Sequence, residues 1–217
     1  MLKLILSVLC CATILFIAAA GAFADQAPTY HGPLSASEQT FVRSIQDDLN
    51  ARFPHAADAM RAGFIRYTEV DDTGAISYAN LHWDSTDLKH PSQLWYDKGG
   101  NLLGADFSTP DTNGKRPALF GVNPGRWYEF DNHIHYVVKD PVTGKISYYH
   151  YVMAPAFIKA GGDPMHPSAA TLVKMGKVKS VADVPVIFDF PTVWDLIVWV
   201  KPNPSGAFAE KNPSVKP

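Results

Sequence analysis

An α+β fold, with a mainly antiparallel β-sheet of hairpins and an N-terminal helical segment packed on one side, is what three features of the chain predict. A capped amphipathic pattern occupies residues 35–62, turn-punctuated runs of aromatic and β-branched residues fill 64–200, and no low-complexity linker separates the two. One domain over 25–217 follows, closing in an extended tail over 201–217.

The helical part opens at Ser35. Glu38 three residues later completes a capping-box pattern, and Phe41, Val42, Ile45 and Leu49 fall on one stripe of a helix ending near Arg52. Pro54 interrupts it, and residues 55–62 form a further short helix stopped by Gly63. Residues 64–83 read as a hairpin turning at Asp72-Thr73-Gly74, and 94–107 as another turning at Gly99-Gly100-Asn101. A third spans 133–153, its loop Pro141–Gly144 closed by Asp140 and Lys145. The segment 193–200, VWDLIVWV, is apolar on both faces and reads as a central, doubly covered strand with Leu196 and Val198 on one side and Ile197 and Trp199 on the other. Residues 108–126 and 154–169, rich in Pro, Gly and Asn, read as ordered surface loops.

Ahead of this domain, residues 1–24 have the organisation of a cleavable signal peptide: Lys3, an apolar run over 4–20, and Ala22-Phe23-Ala24 in the small-x-small pattern of a cleavage site. Export to the periplasm or beyond is the expectation, with Asp25 as the new N-terminus. A membrane anchor is the alternative, disfavoured by the Ala-x-Ala ending. Both cysteines, Cys10 and Cys11, would leave with the leader, so the remaining chain of about 193 residues folds without disulfides. Five tryptophans, nine tyrosines and ten of the twelve phenylalanines lie in that remainder and supply large areas for burial instead. A formal net charge of −2 without a basic cluster leaves no electrostatic footprint for nucleic acid or, once the leader is gone, for a membrane surface. A small molecule or metal ion is the expected partner.

Two internal similarities stand out. YTEVDDTGAISY (67–78) parallels YVVKDPVTGKISYY (136–149), and HPSQLWYDKGG (90–100) is echoed by HPSAATLVKMG (166–176). Duplication of halves and convergence through shared turn chemistry both account for them.

The C-terminal residues carry a resemblance. WVKPNPSGAFAEKNPSVKP (199–217) resembles the ending of an uncharacterised group of exported bacterial proteins that close in W-V-x-x-N-P-x-G-x-F-A-x-x-N-P-x-V, and residues 80–107 are more weakly similar to another segment of that group. Pro217 stands where other members end in cysteine, and the region from about 115 to 180 is long by comparison. The resemblance implies an exported domain and no particular chemistry.

Motifs for nucleotide binding, serine hydrolysis and helical zinc proteases are absent, and thiol catalysis leaves with the leader. The carboxylate pairs Asp47-Asp48 and Asp71-Asp72 read as solvated polar residues, and Trp83, Trp95, Trp127, Trp194 and Trp199 as core filling or as pocket walls. One constellation could carry chemistry. In the register set by the Asp140–Lys145 loop, His135 lies opposite His150 and shares a face with His133, while Ile134, Tyr136 and Val138 point to the core with Tyr149, Tyr151 and Met153. Three imidazoles so placed can bind a divalent transition metal such as zinc, with Asp131 as a candidate fourth ligand. Two classes stay open: a non-catalytic module binding a small ligand or metal, and a metal-dependent enzyme, hydrolytic or cupin-like. The next glutamate after His135 is Glu210, which weighs against a cupin pattern.

Overall fold

Helix α1 (Ala36–Arg52) begins where the sequence places it, in a computed structural model that describes residues 24–81 and 87–217. All of the proposed leader except Ala24 lies outside those residues, as does Trp83. Ser35 caps the helix: the Glu38 amide donates to Ser35 Oγ at 3.2 Å and the Ser35 amide to Glu38 Oε2 at 2.8 Å. Helix α2 (Ala56–Arg61) follows Pro54, and Gly63 ends it at a φ of 94°.

The strands are β1 (Ala24–Gln26), β2 (Ile65–Arg66), β3 (Ile76–Ala79), β4 (Gln93–Tyr96), β5 (Leu102–Pro110), β6 (Tyr128–Phe130), β7 (His133–Lys139), β8 (Ile146–Met153), β9 (Val186–Phe190) and β10 (Val193–Trp199). They form a seven-stranded antiparallel sheet in the order β1-β6-β10-β5-β4-β3-β2 and a three-stranded antiparallel sheet, β8-β7-β9. The fold is therefore α+β and mainly antiparallel, with the N-terminal helices on one side of the larger sheet. Among the described residues no helix is long and apolar enough to cross a membrane.

Strand β10 lies between β5 and β6, buried along its whole length. Its alternation sorts two cores. Trp194, Leu196 and Val198 join Leu94, Ala105, Phe107 and Trp127 beneath Phe41, Val42, Ile45 and Leu49 of α1. Ile197 and Trp199 face the other way, with Trp95, Leu103, Tyr128 and Val215. The smaller sheet has its own core, where Ile134, Tyr136 and Val152 meet Phe157 of α3 (Ala154–Lys159) and Leu172 of α4 (Ala169–Lys174).

The two segments expected to be loops contain regular structure. Strand β5 runs on to Pro110, a 3-10 turn occupies Pro124–Arg126, and α3 fills the first part of 154–169. Pro155 falls in the first turn of α3, where its missing amide costs no hydrogen bond, so it starts a helix where the composition predicts a loop. The internal similarities also separate. Both hairpins turn at a positive-φ glycine, Gly74 and Gly144, but one is the edge of the large sheet and the other half of the small one. Of the second pair, 90–100 holds strand β4 and 166–176 holds helix α4. Shared turn chemistry explains the likeness.

The tail over 201–217 contains neither helix nor strand, yet it is fixed in place. Trp199 donates from its amide to the Ala207 carbonyl at 2.9 Å and from its indole Nε1 to Ala209 at 2.6 Å. Asn212 Nδ2 donates to Pro202 and Asn203 Nδ2 to Lys211, each at 3.1 Å, while Phe208 and Val215 are buried. These tail residues thus act as a clasp over the end of β10. Gly74 is locked beneath it, since a side chain there would meet the Lys216 backbone at 2.7 Å.

Candidate functional site

The hairpin that carries the histidines closes as expected, with the Asp140 amide donating to the Lys145 carbonyl at 2.8 Å and Lys139 pairing with Ile146. The register then slips. His135 stands opposite Tyr151, and His150 opposite Tyr136, because a β-bulge intervenes at Tyr148–Tyr149. Tyr149 takes a φ of 63°, in the left-handed region, and its amide donates to the Tyr67 carbonyl at 2.9 Å. One extra residue turns every later side chain of β8 over. His150 consequently stacks on Tyr136 and meets Ser147 Oγ at 2.9 Å, on the face away from His135, and Tyr151 and Met153 join His133 and His135 instead of the core. Ile134, Tyr136 and Val138 do pack in the core as expected.

The predicted four-residue metal cluster is therefore divided. His133 and His135 are together, His150 is across the sheet, and Asp131 contributes its backbone carbonyl rather than its carboxylate. Among the described residues no three His, Cys, Asp or Glu side chains come close enough to share a metal ion.

What the two histidines face is a cavity of about 590 Å³ between the sheets. Its floor is the helix-free face of the large sheet, with Ser77, Gln93, Trp95, Asp106, Asp195 and Ile197. The opposing wall holds His133, His135, Tyr151, Met153 and Phe190, and Phe130 at the end of β6 closes the gap beside them. Tyr67, Tyr149 and the residues 68–73 form one side, and Glu210 and Lys211 of the tail reach the mouth. His135 stacks on Phe188 and meets the Tyr67 ring edge-on at 4.8 Å. Tyr67 in turn donates its hydroxyl to Gln93 Oε1, and Gln93 is the ladder partner of Asp106. Asp106 pairs across the next ladder with Ile197 and Asp195 with Ser108, so the two acids are diagonal neighbours on one face.

The hydrogen-bond network fixes the tautomers of the histidines. His133 Nδ1 lies 2.6 Å from the Asp131 carbonyl and must carry its proton, leaving Nε2 as an acceptor. His135 Nε2, 3.0 Å from that atom, therefore donates, and His135 Nδ1 becomes a buried acceptor without a partner. Burial holds both rings neutral: His133 is pushed below its usual range, and His135 down to about 3 by burial and then by His133.

The acids are shifted the other way. Burial, then the neighbouring Asp195, pushes Asp106 well above the carboxylate range, against the Trp95 indole. Asp195 is pushed up to about 7 by burial, with the Ser108 hydroxyl opposing. The pair thus retains a proton near neutral pH. Asp106 is 5 % exposed, Asp195 2 % and His135 6 %, and Asp106 Oδ1 and Asp195 Oδ1, like His135 Nδ1, have no hydrogen-bond partner.

Neither acid stood out in the sequence reading, although both carried a signal. Each is a lone acid inside an apolar strand, LLGADF and VWDLIVWV, and the second strand was already read as covered on both faces. An acid there must be buried, and buried acids are rare away from functional sites. Asp71 and Asp72, whose turn position predicts solvation, sit at the cavity mouth, where Asp71 Oδ1 accepts from the Thr73 and Ala75 amides and Asp72 pairs with Lys211 at 2.6 Å.

Compared with models of known protein families, with curated proteins and with solved structures, the chain matches none of them.

Proposed function

We propose that the chain is an exported, non-catalytic binding module that holds a small organic molecule in the cavity between its two sheets. One observation carries this reading: three side chains more than nine-tenths buried, Asp106, Asp195 and His135, each with a polar atom that has no partner, line a cavity walled by aromatic rings. Each such atom costs about 1–3 kcal/mol when left unpaired, and the apolar walls gain nothing from water. A ligand with hydrogen-bond donors at one end and an apolar body offsets both. The volume lies within the roughly 300–1,000 Å³ range of small-molecule sites. Export is supported by the signal-peptide pattern of residues 1–24. The metal-dependent alternative keeps only His133 and His135 of its ligand set.

The test is a thermal-shift screen of the purified domain against amines, alcohols, carboxylates and sugars. Stabilisation that grows with ligand concentration is expected from at least one class, and is expected to vanish in Ile197→Trp, which fills the floor. A screen in which no class stabilises the protein would remove the proposal.

A further inference from the structure

The lining charges of the cavity are unequal. Glu69, Asp71, Asp72, Asp106, Asp195 and Glu210 bring carboxyl groups, and Lys211 is the lysine among them, engaged with Asp72. The acids at the mouth have structural work: Glu69 pairs with Arg66 at 3.1 Å and accepts from the Tyr148 amide, and Asp71 caps its own turn. Asp106 and Asp195 on the floor have none that uses their Oδ1 atoms. A ligand carboxylate or phosphate placed there would meet acids and the neutral His135 acceptor. A cation would meet complementary groups throughout, including the ring faces that attract positive charge.

We propose that the ligand is a small organic ammonium ion, its N–H groups directed to Asp106, Asp195 and His135 and its apolar body packed among Trp95, Phe130, Tyr151 and Phe190. The proposal rests on the reading of the cavity as a ligand site. A primary ammonium offers three donors, and three side chains that line the cavity each hold a buried polar atom without a partner, His135 being linked through Tyr67 and Gln93 to Asp106. The charge balances by proton exchange: as the ammonium enters, the acid pair gives up its retained proton to solvent and meets the cation as a carboxylate.

Matched triples decide the matter: phenyl-, indolyl- and cyclohexyl-substituted ethylamines, each with the corresponding ethanol and propanoate, titrated calorimetrically into the wild-type domain at pH 7. At least one amine is expected to bind tenfold or more tighter than its alcohol, with no detectable binding of its acid. In the double variant Asp106→Asn/Asp195→Asn that preference is expected to fall below about threefold, the loss expected when the counter-ion is removed. An alcohol or acid binding as tightly as the amine, or a preference that persists in the double variant, overturns the ammonium proposal while leaving the cavity a ligand site. A panel in which no amine binds overturns it as well, and if the alcohols and acids also fail the cavity reading falls with it.

Should the double variant not fold, the wild-type protein alone suffices. The other titratable groups turned into the cavity are Tyr67, Tyr149 and Tyr151, pushed up by burial, and His133 and His135, pushed down by it, with Glu69, Asp71, Asp72, Tyr148, Glu210 and Lys211 around the mouth. Binding of the best amine in phosphate and in Tris is therefore expected to show apparent enthalpies that differ by release of about one proton from the acid pair. Equal enthalpies in the two buffers overturn the proposal.

Discussion

The amide of Tyr149 donates to the carbonyl of Tyr67 at 2.9 Å, joining the bulge of the small sheet to the edge of the large one. The neighbouring Tyr148 amide reaches Glu69 Oε1 at 3.3 Å, so two consecutive donors freed from the β7–β8 ladder are satisfied by one segment of the other sheet. A regular hairpin would have no amides to spare for this contact. The bulge, the slipped register and the width of the cavity are in this sense one feature.

That coupling separates two substitutions at the same position. Tyr149→Gly keeps the amide and relieves the left-handed backbone, so its stability is expected to stay within about 1 kcal/mol of wild type. Tyr149→Pro removes the donor and forbids a φ of 63°, and is expected to cost about 3 kcal/mol or more. Urea unfolding of the two variants measures the difference, and equal losses would mean that the bulge is not held by Tyr67.

The divided histidines make a second prediction. His135→Ala opens a hole in the cavity wall and is expected to weaken ligand binding, whereas His150→Ala, on the other face, leaves binding unchanged and loses only its stacking on Tyr136. Zinc, nickel or copper is expected to leave the melting temperature of the wild type where it was. A metal-induced rise that both alanine variants abolish would restore the three-histidine site.

Helices α1 and α2, the three hairpins and the central strand were legible because each rests on local rules: a capping box, turn glycines, alternation. The single residue that moved His150 was not, since nothing in ISYYHYVM marks a bulge; it is imposed by Tyr67 and Glu69, nearly eighty positions away. Strands β1, β6 and β9 escaped notice for a related reason. They are short, and their pairing partners rather than their composition make them strands. Asp106 and Asp195 were hidden differently, by position in strands whose hydrophobicity drew the reading toward packing alone.

Trp199 tests the clasp. Trp199→Ala removes a side chain that is 1 % exposed and is expected to cost about 3–5 kcal/mol through the cavity it leaves. Trp199→Phe keeps much of the packing against Trp95 and loses the bond to Ala209, which is expected to cost about 1 kcal/mol for the bond beyond the volume lost. If the tail is clasped by this ring, limited proteolysis should release residues beyond about 201 faster in both variants, most in the alanine one. Wild-type rates of cleavage would show the tail to be held by Asn203 and Asn212 instead.

The acid pair makes the stability of the domain depend on pH in a direction opposite to the usual one. Ordinary paired carboxylates have lowered pKa values and stabilise as pH rises; Asp106 and Asp195 are raised by burial, Asp195 to about 7. Between about pH 4 and 7 the folded pair therefore binds more protons than the unfolded chain, and its contribution to stability falls as pH rises through that window. His133 and His135 act the other way. Their lowered pKa values mean that the unfolded chain binds more protons below about pH 6.5, so their contribution is lost on acidification. The two effects oppose each other in the wild type, and the difference between wild type and Asp106→Asn/Asp195→Asn isolates the acids, because the histidines are common to both. The double variant is expected to be the more stable protein at pH 8, by on the order of 3 kcal/mol, with the gap narrowing steadily toward pH 5. Urea unfolding of both proteins at half-unit intervals measures it. A gap that stays constant, or widens toward acid pH, would place the titrating protons somewhere other than on these two carboxyl groups.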